Sequence, residues 1–267
     1  LDAFHGRRTF RMSLRFCSLG SGSEGNALIV EVDGRAVLLD CGFGIAEVER
    51  RMSRAGIGPE VLDAIIVTHE HSDHMGGVAR FARKHRLPVW ATAGTLNFVD
   101  REILAAERMR TIDPHESFTL GGIEVTPFSV PHDATEPVQF VFSDGAARLG
   151  VMTDTGTITA HIEANLSACD ALVLECNHDL DMLLNGPYPE RLKKRVSGKF
   201  GHLDNRTAAS LLANVDCTRL KHIVAAHLSK TNNRPELAKQ ALAEALHCES
   251  AWIGVAAQDT GFDWREI

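Results

Sequence analysis

The stretch that most constrains this chain is Thr68-His69-Glu70-His71-Ser72-Asp73-His74. It sets three histidines and an aspartate directly behind Ala64-Ile65-Ile66-Val67, an apolar, β-branched run that reads as a short buried strand. Gly76-Gly77 follow, and then a helical pattern over Val78 to Arg86. The cluster therefore occupies a strand-to-helix loop, where a rigid scaffold presents its chemistry. Imidazole nitrogen and carboxylate oxygen suit zinc, manganese or iron. His69 and His71 can point the same way in an extended turn and grip one ion. Asp73 and His74, at the start of the following helix, can turn to a second. One ion takes three or four ligands and the loop offers two pairs, so the expectation is a site for two divalent ions, Zn2+ or Mn2+.

His-x-His-x-Asp-His behind a strand resembles the signature of the metallo-β-lactamase superfamily. The resemblance implies an α/β fold: an αββα sandwich of two mixed β-sheets flanked by helices, carrying one or two metals. It also implies the remaining ligands. His132, in Ser129-Val130-Pro131-His132-Asp133, would complete a set with His69 and His71. Asp154, in Met152-Thr153-Asp154-Thr155-Gly156, matches the carboxylate that bridges both ions. His227, in Ala225-Ala226-His227-Leu228-Ser229, falls where the last ligand partners Asp73 and His74. Asp40 matches an early aspartate that braces the metal loop without binding metal. Such a bracing duty makes physical sense, because a ligand histidine needs its other nitrogen held. Capping a turn at the strand end is the plainer reading of Asp40.

Near the start, Gly20-Ser21-Gly22-Ser23-Glu24-Gly25 matches Gly-x-Gly-x-x-Gly, with Asp40 near the distance of a ribose-binding acid. A dinucleotide site requires a helix next. Instead Ala27–Val32 alternates as a strand, Asp33-Gly34 makes a hairpin turn and Arg35–Asp40 returns. The glycines instead let a hairpin loop approach the metals, leaving Ser21, Ser23 and Asn26 to meet an anionic group. Further strands are expected at Leu14–Leu19, Pro88–Ala91, Glu116–Leu120, Gly122–Val130, Val138–Ser143, Ala147–Thr153, Asp170–Leu174, Lys221–Ala226 and Ala251–Val255. Helices are expected at Ile45–Ala55, Thr95–Arg108, Thr207–Ala213 and Pro235–His247. No second-domain boundary shows, so residues 12–267 read as one domain and 1–11 as an extension, with Met12 a natural start.

Glu175 and His178, in Glu175-Cys176-Asn177-His178-Asp179, follow a strand and are placed to line the site, Glu175 behind a ligand and His178 toward substrate. Arg191, Lys193, Lys194, Arg195, Lys199 and Arg206 then crowd around Gly201-His202-Leu203. A solvated helix face is the ordinary meaning of such a run. Beside His202, Lys193 and Lys194 are also candidates to hold a phosphate backbone.

Composition bounds the partners. A net charge of −7 excludes an all-over nucleic-acid binder and leaves room for a local basic groove. The six cysteines lack paired spacing, which points to reduced thiols and a cytoplasmic protein. No apolar run reaches a membrane span, so no membrane partner is expected.

Within the superfamily, the chain is most similar to the compact YycJ/WalJ-type family of bacterial metallo-hydrolases. The resemblance rests on Ser18-Leu19-Gly20-Ser21-Gly22-Ser23-Glu24-Gly25-Asn26, the histidine cluster, Glu175-Cys176-Asn177-His178-Asp179, Gly201-His202-Leu203 and Ala226-His227-Leu228-Ser229-Lys230. One mild departure is Leu19-Gly20 where the family pattern has Leu-Ala. The span between Asp154 and His227 is too short for the clamp domain inserted in RNase J. The resemblance implies a 5′→3′ DNA exonuclease with nucleic acid as its partner. In that reading two metals share a bridging hydroxide, Asp73 orients it, and His202 acts on the scissile phosphate. The alternative is a small-molecule hydrolase (lactonase, thioesterase, cyclic phosphodiesterase or β-lactamase-like), since the same metals polarise a carbonyl equally well.

Overall fold

In the computed structural model, which describes residues 13–267, the chain opens on three antiparallel neighbours: β1 (Arg15–Gly20), β2 (Ala27–Val32) and β3 (Arg35–Leu39). The readings for residues 1–11 and Met12 lie outside the described residues. Asp33 and Gly34 take φ of 53° and 77°, the left-handed pair a two-residue hairpin needs to match strand twist. Next come α1 (Ile45–Arg54), β4 (Leu62–Ile66), α2 (Ser72–Met75), α3 (Val78–His85), β5 (Val89–Thr92), α4 (Ala93–Leu96) and β6 (Met109–Ile112). β3 to β6 run parallel.

The second half contains β7 (Phe118–Leu120), β8 (Ile123–Ser129), β9 (Val138–Ser143), β10 (Arg148–Met152), α5 (Ala160–Leu166) and β11 (Ala171–Glu175). It continues with α6 (Leu180–Asn185), α7 (Glu190–Val196), α8 (Asn205–Asn214), β12 (His222–Ala226), α9 (Pro235–Leu246) and β13 (Gly254–Val255). Finally β14 (Phe262–Glu266) crosses back to pair antiparallel with β1. The result is two mixed seven-stranded sheets, ordered β14-β1-β2-β3-β4-β5-β6 and β13-β12-β11-β10-β9-β8-β7.

Three apolar clusters hold the layers together. Phe16, Val30, Val37 and Ile66 of the first sheet meet Val125, Phe140, Phe142 and Val173 of the second. Val48, Met52, Val78 and Phe81 pack α1 and α3 on the outer face of the first sheet. Ile162, Leu211 and Leu242 do the same for α5, α8 and α9 on the second. This is the αββα sandwich the histidine motif implies. Each large apolar side chain fully buried here contributes about 1.5–3 kcal/mol, which makes a stiff support. β3 and β4 run parallel, as do β10, β11 and β12, so the loops leaving their carboxyl ends gather along one edge.

One expectation fails outright. Thr95–Arg108 is not a helix: after α4 the chain turns, and Asp100 receives Leu104 N at its carbonyl and Glu102 N at its carboxylate. The apolar spacing Leu96, Val99, Leu104 mimics a helix face, yet Leu96 ends α4 and Val99 and Leu104 reach the core from the loop after it. The expected strand Ala251–Val255 shrinks to Gly254–Val255. No helix among the described residues is long and apolar enough to cross a membrane.

Candidate metal centre

Five strand ends and one hairpin loop deliver the polar groups. Asp40 follows β3, Thr68 to His74 follow β4, and His132 lies between β8 and β9. Asp154 follows β10, Glu175 ends β11 and His227 follows β12. Asp40, Asp154 and His227 take φ of 60°, 64° and 55°, so each strand breaks sharply and its last side chain turns toward the shared edge. The loop between β1 and β2 closes in from the side: Asn26 N donates to Asp73 O at 2.7 Å, and a Cβ on Gly42 would collide with that same carbonyl. Only glycine allows so close an approach.

Hydrogen bonds tie one nitrogen of several imidazoles. His74 Nδ1 donates to Asp40 Oδ2 at 2.7 Å, while Asp40 Oδ1 accepts Thr68 N at 2.9 Å. The Thr68 hydroxyl donates to the Asp40 carboxylate, so it accepts His69 Nδ1–H at 2.9 Å. His132 Nδ1 donates to Gly201 O at 3.0 Å, and His71 Nε2 to Asp133 O at 3.2 Å. His202 Nδ1 donates to Glu175 Oε1 at 2.7 Å, and Glu175 Oε2 also accepts Thr155 N and Leu203 N. Each of these contacts leaves the opposite nitrogen with its lone pair, or its proton, directed into the site.

The free donors fall into groups. His69, His71 and His132 present one, with His71 Nδ1 and His132 Nε2 3.3 Å apart. Asp73, His74 and His227 present another, with His227 Nε2 3.3 Å from Asp73 Oδ2. Asp154 lies between them, its Oδ2 2.9 Å from His74 Nε2 and its Oδ1 3.4 Å from His227 Nδ1. His69 Nε2 is buried without a hydrogen-bond partner, and Asp154 Oδ2, equally buried, has only His74 Nε2 beside it. Stranding such atoms is costly unless something else satisfies them.

The protonation pattern tells the same story. Burial alone would lower His74, but Asp154 and Asp40 outweigh it and raise its pKa. His202 is raised against burial by Glu175, and His227 by Asp154 and Asp73. Glu175, despite burial, is held at about 2 by His202. Asp73 is lowered against burial by His227 and His74. Four buried or half-buried carboxylates therefore draw protons onto imidazoles because they need positive charge nearby. His69 and His132, lowered chiefly by burial, stay neutral and keep lone pairs to give. This donor set fits divalent cations.

An open cleft of about 340 Å³ stands over these groups. His71, Asp73, Asp154, His202 and His227 reach its surface, together with Ser23, Asn177 and Ser229. Several expected substrate contacts are not there. Ser21 spends its hydroxyl on Asn26 Oδ1 and on His227 N, so it braces the last histidine. Asn26 is consumed by Gly22, Asp73 and His74. His178 is buried behind the cleft, where its carbonyl accepts Asn205 N. Lys193 turns inward and donates to Leu184 O at 2.7 Å. Lys194 is exposed but does not line the cleft.

The basic residue that does line it is Arg195, whose Nε donates to Asp133 Oδ2 at 2.6 Å. On a helix turning 100° per residue, residue 194 lies about 160° from residue 196 and residue 195 only about 100°. Adjacency of lysines in sequence carried no such information. Thr68, inside the motif itself, and Asp133, next to His132, were likewise legible as neighbours but not as supports. Glu70 also supports the loop, its carboxylate accepting Thr135 N at 2.7 Å.

Comparison with known proteins agrees with this geometry. A family model described as a β-lactamase superfamily domain matches residues 35–227. The chain is 36% identical over 247 residues to a protein named exodeoxyribonuclease YycJ from Bacillus anthracis, covering 92% of this chain and 94% of that one. It is 31% identical over 248 residues to exodeoxyribonuclease WalJ of Streptococcus pneumoniae, covering 91% and 92%. Among solved structures, the metallo-β-lactamase fold protein YhfI from Bacillus subtilis superposes with a TM-score of 0.74 at 16% identity, over 96% of this chain and 100% of the other.

Proposed function

The chain belongs to the β-lactamase superfamily, and from that membership we propose that it is a nuclease using two divalent ions, zinc or manganese, to shorten DNA from the 5′ end. The observation that carries the reading is His202 in the open cleft beside Asp154, its Nδ1 fixed on Glu175. Relatives named exodeoxyribonucleases along nearly the whole chain support it.

His69, His71 and His132 would hold one ion, Asp73, His74 and His227 the other, and Asp154 would serve both. When bound, such ions lower the pKa of water and neutralise charge on a phosphoryl group. The remaining work belongs to the chain. Asp73, flanked by His74 and His227, orients the attacking water from one side. His202, protonated with Glu175 at its back, donates from Nε2 to the phosphate or to the leaving oxygen. Asp40 and Thr68 keep His74 and His69 in the tautomers that present Nε2. Arg195, anchored on Asp133, gives the neighbouring phosphate a planar cation.

The test is degradation of a 5′-phosphorylated, 3′-labelled single-stranded DNA with Mn2+, beside Asp73→Ala. Progressive shortening from the 5′ end, absent in the variant, is the expected result. A metal-loaded protein that leaves the strand intact while hydrolysing a lactone or thioester would overturn the reading.

A further inference from the structure

One side of the cleft is unlike the rest. Tyr188, Leu192 and Val196 line it, spaced four residues apart along α7 and the turn before it. Leu192 and Val196, four residues apart on α7, share one helix face. Tyr188, two residues ahead of the helix, extends the same lining of the cleft, so the three form a stripe. That stripe looks across at Asp154, His202 and His227. All three side chains are partly exposed, and none packs into any of the three apolar clusters formed by the described residues. Tyr188 is the chain's single tyrosine. Apolar groups placed over a charged centre, and not used by the core, are explained by something they bind.

The stripe is held from behind. Lys193 is about nine-tenths buried, and its Nζ donates to the carbonyl of Leu184 near the end of α6 and lies 3.2 Å from Glu190. Arg195, at the edge of the stripe, is pinned to Asp133, whose backbone also carries His71. These contacts tie α7 to the end of α6 on one side and, through an exposed ion pair, to the loop of Asp133 on the other.

We propose that Tyr188, Leu192 and Val196 form a base-binding wall that receives the nucleobase beside the scissile phosphate. This rests on the nuclease reading and deepens it. An aromatic ring with two aliphatic neighbours offers a flat apolar face and few hydrogen-bonding groups, so it accepts any base by stacking and reads no sequence. A cleft of about 340 Å³ is in the small-ligand range. A base lying against the wall has left its pairing partner, so the substrate class is a single-stranded or frayed end.

The experiment pairs a change in the wall with a change in the substrate. Full-length protein loaded with Mn2+ is given 5′-phosphorylated single strands that are either complete or abasic at one of the two nucleotides flanking the first scissile bond. Stacking of one base predicts that wild type loses about tenfold or more in kcat/KM on one abasic strand. Tyr188→Ala should lose a similar factor on the complete strand and no longer distinguish the two. Tyr188→Phe should still distinguish them, and Leu192→Ala should narrow the gap without altering the tyrosine. Metal content measured on each variant reports whether its floor is intact.

Equal cleavage of all strands by wild type overturns the wall while leaving the nuclease reading in place. So does a Tyr188→Ala protein of full metal content that keeps the gap. A wild type that shortens no strand overturns the nuclease reading, and this inference with it.

Discussion

On the floor of the cleft, His69, His74, Asp154, Glu175 and His227 are almost wholly buried, and each has polar neighbours, His74 and His227 meeting carboxylates that come from other strand ends. On the wall, Tyr188, Leu192 and Val196 stay half-open on a seven-residue helix and the bend before it, and none of the three joins an apolar cluster of the described residues. The floor gathers its groups from both sheets, so its geometry is set by the stiffest part of the molecule. The wall comes from a single local segment tied down by Lys193 and Arg195. Chemistry needs donors placed within fractions of an ångström, whereas sequence-independent binding needs a surface that tolerates variety. The two regions divide those demands.

The largest expected effect comes from breaking the floor at its shared member. Asp154→Asn should lower DNA turnover at least about a thousandfold, because several kcal/mol of charge stabilisation go with the ions. Metal analysis of the purified variant should show less than the wild-type content. Stripping the ions with a chelator applies the same break to the whole floor, leaving its carboxylates facing one another. Thermal unfolding should then begin about 10 °C lower and recover on adding Zn2+ or Mn2+.

Asp40→Asn touches only a support. It keeps the shape but replaces a charged acceptor of His74 Nδ1–H with an amide, and should cost about 10- to 100-fold in metal affinity or turnover. Lys193→Met loosens the wall alone: KM for DNA should rise a few-fold while metal content is unchanged. Lys194→Ala should move KM by less than about twofold, as expected for an exposed charge away from the cleft. Were Lys194 the more damaging of the two, the division between floor and wall would have to be redrawn.

That last pair shows where sequence stops being informative. The donors of the floor are readable because residues 69 to 74 pack two ligand pairs, His69 with His71 and Asp73 with His74, into a single loop. The sandwich and the later donors His132, Asp154 and His227 are legible through the family resemblance that loop carries, since alone each of the three reads as a turn residue. What a one-dimensional reading lacks is direction. Lys193 and Lys194 look equivalent until the helix turns one to a carbonyl and the other to solvent. Ser21 and Asn26 look like free polar groups in a glycine-rich loop, yet long-range bonds to His227 and Asp73 consume them. Residues 95–108 fail for a related reason, since an apolar spacing is satisfied by a loop lying against the core as well as by a helix. β14 returns to β1 across almost the entire chain, a pairing no local pattern announces.

The left-handed backbone at residues 40, 154 and 227 has a consequence for how this site can change. Outside glycine, the residues that tolerate that conformation best are asparagine, aspartate and histidine, whose short polar side chains suit it. Aspartate and histidine are also two of the commonest ligands of zinc and manganese. The turn that ends each strand therefore acts as a filter on substitution, admitting a short vocabulary that overlaps with the vocabulary of metal binding. Glutamate at 154 would keep the charge but give up the short side chain that suits this backbone, at a cost of roughly 1–2 kcal/mol. The conformation that turns these three side chains into the site therefore favours the same residue types that can hold a metal.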